Sequence, residues 1–184
     1  GMAVAIYAVQ VLLRMRAEEA EGSVEPVLAT SVSRPRWVLS HILNACLGAV
    51  GLLLVFALGM ALAAGRVLGD TSALIRDLTA ASLAQLRGIL VIGAVVVAAV
   101  GLLPRWAGPV SWAVVAASIL LGPLFGPTLG LPQSALDLSP FTHIPKLPAA
   151  ELAATPVLAL VAIGAALAVA GLVSFRRRNL ALPA

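Results

Sequence analysis

The chain has 184 residues, 61% of them hydrophobic and 11% charged, whereas soluble domains run at about 45–50% apolar and about 25% charged. A soluble fold would have to bury nearly every segment on all faces, which a chain of this size cannot do. The net charge of +4 comes from eleven Arg and one Lys against eight acidic residues, with the basic residues scattered over segment ends rather than clustered with aromatics, a pattern that fits membrane anchoring and speaks against nucleic acid.

Lipid accommodates helices that are apolar all round, so the composition predicts an all-α, polytopic transmembrane helical domain. Cys46 is the single cysteine, which removes any disulfide framework or cysteine metal site within the chain. The opening GMAVAIYAVQVLL does not read as a secretory signal, because its Arg residues follow the apolar run.

In chain order, residues 1–13 are uncharged and reach only about 20 Å of a bilayer core about 30 Å thick. They are expected to be a partial span, the remainder of a longer one. Residues 14–36 form a polar insert with Arg14, Arg16, Arg34 and Arg36 beside Glu18, Glu19, Glu21 and Glu25. Its acidic cluster reads as an exposed helical end stopped at Gly22 by glycine's backbone freedom. A short helix starting at Ser23–Pro26, with Val27, Leu28 and Val32 on one side, is expected to end at Pro35. It is either a helix that docks a partner or an amphipathic juxtamembrane loop.

Residues 38–64 make a first complete span, with Trp37 placed as an interfacial aromatic. His41 and Asn44 lie one turn apart near its start, where they either contact a substrate or are simply hydrated. Gly48, Gly51 and Gly59 are expected to permit close helix packing. Over 69–87 a polar break holds an interfacial helix, capped by Asp70 or Thr71.

Further spans follow over 88–103, 109–126 and 156–175, giving about four complete spans in all, with 127–155 as an external loop. Gly122, Pro123, Gly126 and Pro127 break the third. Pro132, Pro140, Pro145 and Pro148 keep 131–148 from being one regular helix, and His143 and Lys146 there lack a second ligand at metal spacing. Ser111 and Ser118, with His41 and Asn44, are the candidate substrate-pathway positions.

Counting Arg and Lys near loop ends sets the orientation. Residues 14–36, the Arg105 turn and Arg176 to Arg178 together carry eight. Arg66, Arg76, Arg87 and Lys146 on the other side make four. The eight-residue side is expected to be cytoplasmic, with the C-terminus on it.

No phosphate-binding loop, HExxH or serine elbow is present. No acidic residue lies inside a predicted span, which weighs against a proton- or sodium-driven carrier. The run Glu19-Ala-Glu21-Gly22-Ser23-Val-Glu25-Pro26-Val-Leu28-Ala-Thr30-Ser31-Val32-Ser-Arg34 resembles the cytoplasmic signature of type-2 ABC exporter permeases. Ser31 stands where that signature often has proline, and Pro26 is unusual in it.

The stretch Asp137 to Pro148 and the ending Gly171-Leu-Val-Ser-Phe-Arg-Arg-Arg look like the closing part of actinobacterial antibiotic-exporter permeases of the tetronasin-resistance type. The resemblance covers nearly the whole chain. It implies a cytoplasmic coupling helix, with Glu18, Glu19, Glu21, Gly22, Ser23, Glu25, Pro26, Leu28, Thr30 and Arg34 docking on a separate ABC ATPase subunit that hydrolyses the ATP. It also implies that this chain is most of the second half of a longer permease, working with the other half.

The function expected is the permease part of an ATP-driven exporter of hydrophobic drugs or polyketides in a bacterial plasma membrane, with no catalytic residue, metal or cofactor of its own. The rivals are a non-transporting membrane anchor or assembly factor and an ABC exporter of lipid or glycan precursors.

Overall fold

Nineteen residues from Met2 to Ala20 form the first helix, α1, which ends with Glu21 as its C-cap. The computed structural model describes residues 1–21 and 33–122, and beyond these 125, 126, 128–130, 132, 162, 164–171, 173 and 174. The first apolar segment does not stop at residue 13. α1 continues through Arg14 and Arg16 to a length of about 28 Å, because Arg16 finds partners at that end: its Nε donates to the Pro104 carbonyl at 2.9 Å.

The second helix, α2, runs Arg34–Leu68 over 35 residues, a length of about 52 Å. Pro35, expected to end the preceding segment, instead lies in the first turn of α2, where its missing N–H leaves no bond unmade and its fixed φ suits the helix start. At the other end Gly69 adopts φ +82°, and its N–H bonds to the Gly65 carbonyl at 2.9 Å. A side chain resists that left-handed backbone, so glycine sits where the chain reverses.

Asp70 then opens α3, Thr71–Ala84, by accepting the Ala73 N–H at 3.1 Å. Ser72 also donates its hydroxyl to the same carboxyl. The sequence pattern predicted a helix isolated within a polar break. In the structure only Gln85, in helical backbone conformation, separates α3 from α4, Leu86–Leu102. A turn over residues 103–106 leads to α5, Ala107–Leu120. No strand occurs among the described residues.

α2 packs along α3 beyond the Gly69 turn and along α1 elsewhere, while α1 also packs against α4 and α5. The core holds the interlocked side chains of Val9, Met15, Ile92 and Val96, each almost fully buried. α2 presents Ala45, Ala49, Ala57 and Ala61 inward, repeating at helical spacing, and leaves Leu39, Leu43, Leu47, Val55 and Phe56 exposed. Small residues inward and large apolar ones outward is the arrangement of a helix whose solvent is lipid, where close packing rather than apolar burial drives association.

Two helical stretches, Pro35–Leu68 and Thr71–Leu102, are long and apolar enough to cross a membrane; α5 is apolar but shorter.

Glycines mark the tightest approaches. A Cβ on Gly48 would strike the Tyr7 ring of α1, and one on Gly101 would strike the backbone of Gly171 in the helical run 164–171. Ser174 ties the same crossing by donating to the Gly101 carbonyl at 2.9 Å. Gly51 and Gly59, expected to serve close packing as Gly48 does, face open space instead.

Candidate functional site

The C-terminal end of α1, the first turns of α2 and the turn after α4 converge at one end of the helix layer. The convergence is chemical as well as spatial. Arg16 spans 88 residues of sequence to reach Pro104 and also pairs with Glu19 at 3.6 Å. Glu19 is nearly buried at 9% side-chain exposure, so its carboxylate is held by the fold rather than by solvent.

One residue earlier in α1, Glu18 meets His41 of α2 at 3.3 Å between Oε1 and Nε2. The other ring nitrogen of His41 lies 3.2 Å from the Trp37 carbonyl, and the Trp37 and His41 rings meet edge to face with centroids 4.9 Å apart. Carbonyl and carboxylate both accept, so only the doubly protonated imidazole holds both contacts at once.

These contacts frame residues 22–32, the segment between α1 and α2. The expectations for Gly22, Ser23, Glu25, Pro26, Leu28 and Thr30 lie outside the described residues. Glu18 and Glu19 sit in the last turn of α1 with Glu21 as its cap, and Arg34 is the first residue of α2.

Further along the same helices a partly open cavity of about 260 Å³ lies between α1, α2, α4 and the helical run 164–171. α1 contributes Ala8 and Leu12, and α2 contributes Ile42, Ala45, Cys46 and Ala49. The α4 wall runs from Leu86 to Val97, and Gly164, Ala165 and Ala168 close the side. The small residues make the space, since none fills the gap left between helix backbones. A lining so apolar, with one charged side chain, Arg87, suits an apolar ligand with few polar groups.

A family model described as the C-terminal domain of the multidrug efflux system permease Rv1217c matches residues 1–176. The chain belongs to that family. The multidrug efflux system permease protein Rv1217c of Mycobacterium tuberculosis (strain ATCC 25618 / H37Rv) is 37% identical over 179 residues. The match takes in 97% of this chain and 32% of that protein, so the chain spans about a third of its relative's length. This is a membrane permease domain, as the sequence resemblance implied.

In the permease domain the four candidate substrate-pathway residues are dispersed. His41 is engaged at the α1–α2 junction, and Asn44 is exposed on α2, turned from the face that carries Ile42, Ala45 and Ala49. Ser111 is fully buried and donates its hydroxyl to the Ala107 carbonyl at 2.6 Å, one turn back in α5. Ser118 is buried on the same helix. None of the four lines the cavity.

The residues that do line it escaped the sequence reading because they are Ala, Gly and aliphatic side chains indistinguishable from their neighbours. Arg87 had been counted only as a charge at a segment end. Its position nearly two turns before the Gly93–Ala94 notch in α4 was the available signal.

Proposed function

We propose that this chain is the membrane-spanning permease part of an ATP-driven exporter of hydrophobic drugs or polyketide antibiotics, a transport subunit that acts with a separate ABC ATPase and with the rest of the permease. The observation that carries the reading is the match over residues 1–176 to the C-terminal domain of a multidrug efflux permease.

The geometry supports a division of labour along the helices. The polar residues 14–36 lie on the cytoplasmic side with the Arg105 turn and the C-terminus, and the Arg16–Pro104 bond, which draws the first two together, favours that grouping. Four complete spans and the α1 span cross the bilayer. The segment between α1 and α2 docks on the ATPase, and closure of the ATPase pair moves the junction built from Glu18, Glu19, His41 and Trp37. Movement there reaches the cavity directly, because Ile42 and Leu12, on the same two helices, form part of its wall.

The test is substrate-stimulated ATP hydrolysis by the full-length permease and its ATPase in reconstituted vesicles. Charge reversal at both Glu21 and Glu25 to Lys should leave membrane insertion normal and the ATPase bound, since exposed ion pairs contribute only about 0–1 kcal/mol each. Stimulation by drug should be lost, because a misplaced coupling segment transmits little movement even while docked. Hydrolysis that no drug stimulates in the unaltered complex would end the export reading, and full stimulation in the double variant would end the coupling role.

A further inference from the structure

The cavity between α1, α2 and α4 has one feature that apolar packing does not explain. Arg87, the only charged residue among the described residues that line it, keeps its Nη1 buried with no hydrogen-bond partner among them. A guanidinium cannot shed its charge to escape this situation, because it stays protonated at any ordinary pH. A buried donor of that strength left unmet lowers stability, and an uncompensated charge in a membrane marks a functional position more often than a structural one.

The placement is specific. Arg87 stands fifteen residues before Leu102 in α4, about 22 Å along the helix axis, and the apolar wall extends from it through Gly93 and Ala94 to Val97. The cavity is therefore a polarised slot, cationic at one end and apolar along its length. At about 260 Å³ it exceeds the cavity of about 150 Å³ that holds a benzene ring, so a fused bicyclic or branched aliphatic body fits.

We propose that this slot binds amphipathic organic anions, with the apolar body between α2 and α4 and a carboxylate or other compact anion on the Arg87 guanidinium. The occupant is a free small molecule rather than a bilayer lipid, since the slot accommodates a short compact body and not two acyl chains. Calling that molecule the exporter's cargo rests on the function proposed above; the binding itself does not.

The probe is 2-naphthoate, with 2-(aminomethyl)naphthalene as its cationic counterpart, measured by equilibrium dialysis against the full-length permease in phosphatidylcholine nanodiscs without nucleotide or ATPase. The anion should bind at least tenfold more tightly than the amine. Arg87→Gln should weaken the anion by about tenfold to a hundredfold, the range of a charge-assisted hydrogen bond, and leave the amine unaffected. Ala94→Leu, which fills the slot, should abolish binding of both. Bound naphthoate should also slow alkylation of Cys46, a lining residue, as read on its own peptide.

Because Arg87 Nη1 meets no acceptor among the described residues, Arg87→Gln should melt at the same temperature as the parent or higher. Equal affinity for anion and amine would overturn the proposal, as would unchanged anion binding in Arg87→Gln or unslowed alkylation of Cys46. A destabilised or unfolded Arg87→Gln would make Arg87 structural and overturn it equally. Nanodiscs containing phosphatidylglycerol separate the two sources of anion: loss of naphthoate binding there would assign the slot to lipid and overturn the free-ligand reading. Loss of binding with drug-stimulated hydrolysis intact would leave the export reading standing, and binding without any stimulation would leave the slot standing alone.

Discussion

Glu18 of α1 and His41 of α2 meet at 3.3 Å across 23 residues of sequence, and that contact joins the last turn of α1 to the first turns of α2. The pair is a clasp between the two helices that flank the segment proposed to dock the ATPase. Its strength follows from exposure. The histidine side chain is 15% exposed and the glutamate 39%, so water screens the interaction appreciably.

A double-mutant cycle on Glu18→Gln and His41→Gln should therefore give a coupling free energy below about 1 kcal/mol. Thermal unfolding of the permease in nanodiscs measures it. Strict additivity of the two single variants would show that the contact is absent in the bilayer.

The Gly101–Gly171 crossing should tolerate no side chain. A Cβ on Gly171 would lie 2.6 Å from the Val97 carbonyl oxygen, and on Gly101 it would meet the Gly171 backbone. Backbone cannot rotate aside as a flexible side chain can, so Gly171→Val should cost about 1–3 kcal/mol or more and reduce folded yield. Gly51→Ala, at a position facing open space, should melt within about 0.5 kcal/mol of the parent. Size-exclusion profiles and melting temperatures of the two variants, side by side, decide the point.

Asp70 makes the start of α3 sensitive to acid. The Ala73 N–H, and then the Ser72 hydroxyl, hold its carboxyl below the ordinary carboxylate value. The sign is that of a depressed acid: the cap contributes fully above the unfolded value and fades as pH falls through the lower, folded one. Hydrogen exchange of the amides from Ala73 to Ile75 should quicken in that acid range beyond the intrinsic rate. Asp70→Asn, which keeps a capping oxygen, should remain protected with the pH dependence removed, and Asp70→Ala should lose protection at every pH.

Orientation is open to chemical labelling. Cysteines at Ala73 and at Ala20, introduced singly after Cys46 is replaced, should differ in intact cells: Ala73→Cys reacts with an impermeant thiol reagent and Ala20→Cys does not. The reverse pattern would invert the proposed topology.

The helical class was legible in composition alone, and the start of α3 as a choice between Asp70 and Thr71, of which Asp70 is the cap. Gly69 and Asp70 have backbone and side-chain chemistry that suits a reversal followed by a helix start, and both act as their residue types dictate. Proline at 35 shows the limit of such local cues, since the residue that ends one helix equally opens the next.

Which side of each helix faces protein was not legible. In water, polar residues mark the outer face; in lipid both faces are apolar, and the 3.6-residue period no longer separates Leu43 from Ala45. For the same reason Gly48, Gly51 and Gly59 look equivalent in sequence, although only Gly48 meets a neighbour. Arg16 reaching Pro104, and Arg87 turned to an apolar wall, depend on residues brought from far along the chain.

The length of α2 has a mechanical consequence. At about 52 Å, α2 is a lever longer than a hydrocarbon core of about 30 Å is thick. Pivoted near Trp37, it would carry Gly69 through about 8 Å for a tilt of about 10°. α3, laid along the outer arm, makes that arm a two-helix beam and resists its bending. An angular step too small to disturb the clasp at Glu18 and His41 would thus sweep the opposite end across most of a helix diameter.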